Sequence, residues 1–363
     1  MTSQSPLPTP SRPRILTGDT PTGRLHLGHW VGSLERRVQL QDQYDCYFLL
    51  ANMHAFTTRF ESPADIRRDT LEITKDWIAA GIDPQRSTIV LQTEIPAIAE
   101  LTWFFAMLLS FNDVMGNPTL AHELETKGLK DKYSFGFPMY TVGQCADILA
   151  FRPELVPVGE DQAPHIEMCR KAARKFDQLY CHVSPRTPDE DYPKAGGVFP
   201  IPRALIGRVG RLPGIDGGNK MSKSLGNAIF LSDPEKEVQK KVNKLANPVR
   251  DAAGVPDLAT GALFAFVDAF ITDPAQNADI RAKYLKGEMM DGHVKQEVAR
   301  AINLLLSPMR ERRATLEGPG GDDHALGVIR DGIRRGNQTA EETLALAKQA
   351  MSLDFGRREL SWK

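Results

Sequence analysis

Arg14-Ile-Leu-Thr-Gly-Asp-Thr-Pro-Thr-Gly-Arg-Leu-His-Leu-Gly-His29 is the stretch that decides the fold. Arg14 to Thr17 is a short apolar strand candidate, and it runs into Gly18-Asp-Thr-Pro-Thr-Gly23, whose glycines and proline enforce a tight turn. The helix that follows is expected to start near His26. Two further strands read at Cys46-Tyr-Phe-Leu-Leu-Ala51 and Ser87-Thr-Ile-Val-Leu91. Between them Ile66, Ile73 and Trp77 fall at intervals of seven and four, one face of a helix, so this is a strand-helix-strand unit. A fourth strand, Leu155-Val-Pro-Val158, ends in Gly159-Glu-Asp-Gln162 and feeds a helical run over 163–176. Parallel strands alternating with helices predict an α/β, Rossmann-like doubly wound sheet, whose ligands bind on the loops leaving the C-terminal strand ends.

Beyond Asp233 no strand of comparable quality reads, and 235–245, 258–270, 294–316 and 339–351 all carry helical periodicity. The expected organisation is a flexible leader over 1–13, a catalytic domain over 14–228 with a helical insertion around 100–150, and an all-helical C-terminal domain over 229–363. Gly318-Pro-Gly-Gly-Asp-Asp323 reads as a surface loop within it, and there is no internal repeat.

A chain of 363 residues can bury a sizeable core. No apolar run approaches the roughly 18 to 20 residues of a membrane span, so no membrane association is expected. The Pro-, Ser- and Thr-rich start lacks the apolar segment of a secretory signal. Cys46, Cys145, Cys169 and Cys181 share no metal-ligand spacing, which predicts reduced thiols in a cytoplasmic protein and no metal site. With 45 basic against 46 acidic residues, any grip on a polyanion must come from local patches. One candidate spans 219–250, where Lys220, Lys223, Lys236, Lys240, Lys241, Lys244 and Arg250 face only Asp233, Glu235 and Glu237.

Two constellations carry chemistry. His26 and His29 stand three apart at a strand-to-helix junction, where backbone N–H groups and the helix dipole favour anions and imidazoles can donate to phosphate oxygens. Gly28 lets a nucleotide approach the backbone closely. Gly217-Gly-Asn-Lys-Met-Ser-Lys-Ser-Leu-Gly226 places Lys220 and Lys223 on a loop with glycines at both ends. Such a loop can close over a triphosphate and neutralise charge that grows in the transition state.

Together these segments resemble class I aminoacyl-tRNA synthetases: His26-Leu-Gly-His29 looks like the HIGH signature, and Lys220-Met-Ser-Lys-Ser224 is KMSKS letter for letter. Phe137-Pro-Met-Tyr-Thr-Val-Gly-Gln-Cys-Ala-Asp-Ile-Leu149 and Val156-Pro-Val-Gly-Glu-Asp-Gln162 with His165 resemble the tryptophanyl branch, where a tyrosyl enzyme would show a GSDQ-like segment. The resemblance implies a nucleotide domain of the family's HUP type and C-terminal helices that read the anticodon. It assigns His26, His29, Lys220 and Lys223 to catalysis. ATP would be held by Gly18, Thr20, Gly28, Gly159, Asp161 and the loop Lys220, Met221, Ser222, Lys223 and Ser224, with Mg2+ carried on the phosphates. Asp147 would accept the indole N–H, Tyr140 and Gln162 would hold the ammonium group, and Gln144 and His54 would border the substrate.

The implied reaction is attack of the tryptophan carboxylate on the ATP α-phosphorus, followed by transfer to the 2′-hydroxyl of tRNA(Trp), in a homodimer. Three departures suggest a divergent, auxiliary copy. Thr20 stands where the family has a glutamine, Gln144 where an apolar residue borders the indole, and Asn117-Pro-Thr-Leu-Ala-His122 lacks the family's lysine. The rival readings are a tyrosyl synthetase, another adenylate-forming transferase using an HxGH loop, and a paralogue that has lost aminoacylation and acts by binding.

Overall fold

The computed structural model describes residues 12–126, 128–129, 132–207, 212–218, 220–223 and 225–356. Most of the expected 1–13 leader, and Ser224 of the lysine loop, lie outside the described residues. Five parallel strands, β1 (Arg14–Asp19), β2 (Asp45–Leu50), β3 (Ser87–Leu91), β4 (Leu155–Val158) and β5 (Arg203–Ile206), form one sheet in the order β3-β2-β1-β4-β5. The order reverses direction at β1, which makes the C-terminal ends of β1 and β4 the crevice where ligands of doubly wound sheets bind.

The period-2 alternation of strands sorts their side chains into two cores. Ile15, Cys46, Phe48, Leu50 and Ile89 pack on one face with Ile73 and Trp77 of the Pro63–Ala80 helix. Leu16, Tyr47, Leu49 and Val90 pack on the other with Phe105, Phe137, Ile148 and Phe176. The helices expected around 100–150 are Pro96–Leu108, Phe111–Met115, Pro118–Thr126 and Gly136–Leu149.

The C-terminal third is mainly helical, as expected, with different boundaries, but it is not all-helical: Val249–Arg250 and Pro256–Asp257 pair as a short antiparallel hairpin, too short to show as a strand pattern in the sequence. The expected 258–270 helix begins only at Leu263, and the Pro274–Leu285 helix was not anticipated. The expected loop at 318–323 is instead the start of a 32-residue helix, Pro319–Ala350. Gly318 is its N-cap at φ 78°, Pro319 supplies the fixed φ favoured at a first helical position, and Asp322 sits in the first turn. The residues that read as a turn are thus a helix start.

That helix lies along the outer edge of the sheet. A Cβ on Gly332 would collide with the Ile89 carbonyl, and one on Gly336 with the Val90 side chain, so only glycines allow the helix to lie flush on β3. Asn337 Nδ2 donates to the Glu94 carbonyl (2.7 Å), and Arg335 donates to the carbonyls of Pro84 (2.7 Å) and Ser87 (3.0 Å). The edge strand is covered, and the C-terminal helices share one continuous core with the sheet.

Candidate active site

The turn after β1 carries the first histidine pair. His26 is the N-cap of the Leu27–His29 helix, which continues through a π-turn at Trp30–Leu34 into Glu35–Leu40. The His26 N–H donates to His29 Nδ1 (3.2 Å), and the two ring centroids lie 3.9 Å apart with the rings tilted by 46°. Gly28 leaves room for this close ring pair, since a Cβ there would stand 3.0 Å from the His26 ring. Burial, then the charges of His29, Lys223 and Lys220, pushes the His26 imidazole down to about 2. Burial also outweighs the pull of Asp19 and holds His29 at about 4. Both rings are therefore neutral donors and acceptors at pH 7. His26 Nδ1 is buried against Gly28 and has no hydrogen-bond partner among the described residues.

The lysine loop folds directly against this turn. Leu27 N donates to Ile229 O (2.9 Å) and Leu231 N to Leu25 O (3.0 Å), so the chain leaving the loop pairs with the chain entering the histidine helix. Met221 is buried beside Gly28 and anchors the loop. Lys223 Nζ donates to the Gly23 carbonyl (2.7 Å) and Thr22 Oγ1 (3.2 Å), and burial lowers it to about 8 against the pull of Asp69, Asp19 and Asp76. Lys220 Nζ donates to Asp161 Oδ2 (3.2 Å) at the far wall. Asn227 shapes the loop from within: its Oδ1 accepts from Ser222 N (2.8 Å) and its Nδ2 donates to Asp216 Oδ2 (3.0 Å).

A second group of predicted residues lines the adjoining wall. Tyr140, Gln144 and Asp147 fall on one face of the Gly136–Leu149 helix at spacings of four and three. Asp147 is buried, and Gln92 Nε2 donates to both its oxygens (2.8 and 3.0 Å). Burial pushes its carboxyl up to about 8, opposed only by Gln92. His54 Nε2 lies 3.5 Å from Asp147 Oδ2, and burial lowers His54 to about 4. At pH 7 this contact joins two neutral groups and is no ion pair. Tyr140 OH meets His165 Nε2 at 3.4 Å, and Asn117 Nδ2 meets His165 Nδ1 at 3.2 Å. Gln162 Nε2 donates to Asp161 Oδ2 (3.3 Å), beside Gly159, so the two walls meet at Asp161.

The histidine turn, the lysine loop and the Asp147 wall are thus brought together at the sheet's switch point. Gly18 and Thr20 sit at the β1 tip; Gly18 serves the sheet itself, because a Cβ there would collide with the Leu49 carbonyl of β2. The departing segment 117–122 does line the site through polar groups, with Thr119 Oγ1 donating to the Asp161 carbonyl (2.9 Å).

Two parts of the site carry no sequence signature of their own. Gln92 accepts from Met53 N (3.0 Å) and His54 N (3.3 Å), and so ties Asp147 to the Asn52–Arg59 helix. Asp19 is held by Arg37 (2.7 and 3.0 Å) and Trp77 Nε1 (2.9 Å); burial would raise its carboxyl, but Arg37 outweighs that and keeps it at about 2. An arginine four residues after Ser33, on the buried side of the helix, is the one signal the sequence holds for this pair. Among the described residues no cluster of three or more His, Cys, Asp or Glu could hold a metal ion, and no helix is long and apolar enough to cross a membrane. The four cysteines are free thiols, three of them buried.

A parallel sheet with a histidine turn and a lysine loop closed over its switch point defines a class I synthetase. The family model of tRNA synthetases class I (W and Y) matches residues 9–307, and the chain belongs to that family. The particular branch it resembles is equally plain. A Tryptophan--tRNA ligase of Treponema pallidum (strain Nichols) is 40% identical over 94% of this chain and 97% of its own length. The Tryptophan--tRNA ligase of Chlamydia caviae is 38% identical over 96% of both. A crystal structure of tryptophanyl-tRNA synthetase from Campylobacter jejuni, complexed with ADP and tryptophan, is 26% identical with a TM-score of 0.73, covering 94% of this chain and all of that one.

Proposed function

We propose that this chain is a tryptophan--tRNA ligase: it activates L-tryptophan with ATP to tryptophanyl-adenylate and passes the tryptophanyl group to the 2′-hydroxyl of tRNA(Trp). The observation that carries the reading is the juxtaposition of a buried Asp147 acceptor with the His26, His29, Lys220 and Lys223 cluster. In the first step a tryptophan carboxylate oxygen attacks the α-phosphorus in line, and the bond to the β-phosphate oxygen breaks to release pyrophosphate. Positioning and charge stabilisation supply most of the rate, so no covalent nucleophile is needed. Neutral His26 and His29 donate to phosphate oxygens, while Lys220 and Lys223 follow charge onto the departing pyrophosphate. Mg2+ carried on the nucleotide's phosphates would add to the neutralisation that Lys220 and Lys223 provide. In the second step the tRNA hydroxyl attacks the adenylate carbonyl and AMP leaves.

Specificity rests on Asp147. Its oxygen accepts the indole N–H, whereas phenylalanine would leave the buried carboxyl without that donor. Following the family resemblance, Tyr140 and Gln162 hold the substrate ammonium, and His54, which lies 3.5 Å from Asp147, borders the ring with Gln144. The homodimer is supported by Trp103 and Met107, which are 65% and 77% exposed and one turn apart on the Pro96–Leu108 helix, with Phe111, 73% exposed, at the start of the next helix. A cytoplasmic location fits the free thiols.

Pyrophosphate exchange with each of the 20 amino acids, followed by charging of tRNA, tests the reading. Exchange is expected with tryptophan alone, then acylation of tRNA(Trp). Exchange with tyrosine or with no amino acid overturns it, and exchange without charging returns the chain to a binding role. Sedimentation of wild type and Trp103→Glu tests the dimer, which the substitution is expected to dissociate.

A further inference from the structure

Arg313 lies on the last turn of the Asp291–Ala314 helix, distant in sequence from both signatures, and is 4% exposed. Its guanidinium donates to Asp76 Oδ1 (2.8 Å), to Glu72 through Oε2 (2.7 Å) and the carbonyl (3.1 Å), and to Glu317 Oε1 (2.9 Å). Asp76 is itself 2% exposed and spends its other oxygen on the backbone N–H of Leu25 (2.7 Å). Leu25 immediately precedes His26, and its carbonyl accepts from Leu231 N, on the chain leaving the lysine loop. Both backbone polar groups of the residue before the first signature histidine are thus fixed: one by the lysine-loop segment, the other by a carboxylate whose cation comes from the C-terminal helices. The same helix turn grips the neighbouring segments as well. Arg310 donates to the Asp233 carbonyl (3.2 Å) and Arg312 to the Ala79 carbonyl (2.7 Å) at the end of the helix that carries Asp76.

We propose that Arg313 is a positioning residue for amino-acid activation, acting through Asp76 on the Leu25–His29 turn and so tying the C-terminal helices to the chemistry. A buried carboxylate that loses its cation must reorient or take up a proton. In either case the Leu25 amide loses its charged acceptor, the strongest kind of backbone anchor, and the histidine pair shifts against the lysine loop. Arg313 touches neither ATP nor tryptophan, so the effect belongs in turnover and not in tryptophan binding. The proposal rests on the activation reading above.

Tryptophan-dependent pyrophosphate exchange on the full chain tests it with Arg313→Ala, Arg313→Lys, Asp76→Asn and the Arg313→Ala/Asp76→Asn pair. Arg313→Ala is expected to lower kcat about 10- to 100-fold, the loss typical of a misplacement on the ångström scale, with KM for tryptophan within about twofold. Arg313→Lys, which keeps the charge, should recover part of that loss. Because both residues act through one contact, the double variant should be no worse than the worse single one. Folded Arg313→Ala with wild-type kcat overturns the proposal, as do losses that multiply in the double variant. Should Arg313→Ala fail to fold, wild-type kcat in both Arg313→Lys and Asp76→Asn overturns it equally. A wild-type chain that exchanges nothing refutes the activation reading; an active wild type with unmoved variants refutes the relay alone.

Discussion

Asp147 is 2% exposed, and a carboxyl so placed holds a proton that the unfolded chain would release. Its folded value of about 8 lies far above the unfolded aspartate value of about 3.9. Between those two values the folded state binds the extra proton, so stability is greatest below pH 4 as far as this group is concerned, and is lost as pH rises towards 8, by up to about 1.4 kcal/mol per pH unit. Asp147→Asn removes that dependence. Urea midpoints at pH 5 and pH 8 should therefore differ more for wild type than for the variant, and equal differences would discard the assignment of the proton to Asp147. In catalysis the site loses its acceptor in Asp147→Ala, which should cost about 1–3 kcal/mol in kcat/KM for tryptophan, roughly a 5- to 150-fold fall. Unchanged kcat/KM would show that the indole N–H is met elsewhere.

At the scale of elements, the lysine loop is ordered by Asn227, which is 3% exposed and takes its hydrogen bonds inside the loop. Asn227→Ala removes them at a cost of about 1–3 kcal/mol to the closed arrangement, which should raise KM for ATP while leaving the thermal midpoint nearly unmoved. A fall in the midpoint with unchanged KM would assign Asn227 to the fold alone. Elements differ in how far their own residues announce them. β1 to β4 are legible because their apolar runs are bounded by turn residues, and both faces of those strands are largely buried. β5 is not, because it is a four-residue edge strand whose apolar run is only Ala204-Leu205-Ile206, with Arg203, Ala204 and Ile206 exposed. The start of the Pro319–Ala350 helix reads as a loop because Gly-Pro-Gly-Gly favours a turn locally; packing of Gly332 and Gly336 on β3 overrides that preference. The histidine and lysine signatures are legible because their chemistry requires fixed spacings within one turn or loop. Gln92 and Arg313 are not, since each acts on a partner 55 or 237 residues away and leaves no local pattern.

Over the whole molecule a formal net charge of -1 gives no general attraction to a polyanion, so tRNA must be drawn to a patch. The basic segment over 219–250 divides by what its side chains touch. Lys223 is engaged by the histidine turn, Lys220 by Asp161, and Lys241 by Asp233 (2.6 Å) beneath the Phe230 ring. Lys236, Lys240 and Lys244 remain exposed at intervals of four, one stripe along the Glu235–Asn243 helix and its C-cap, with Glu237 near Lys240 (3.6 Å) only weakly offsetting it. Such a stripe acts on phosphates and not on the small substrates, so two assays separate it from the chemistry. Replacing all three lysines by glutamate should raise KM for tRNA and lower the slope of log KM against log salt concentration by about 2 to 3, since each neutralised phosphate adds about 0.7 to 0.9 to that slope. Tryptophan-dependent pyrophosphate exchange, which involves no tRNA, should keep its rate. If charging retains its salt slope in the triple variant, the tRNA lies on another face; if exchange falls with it, the stripe serves the lysine loop instead.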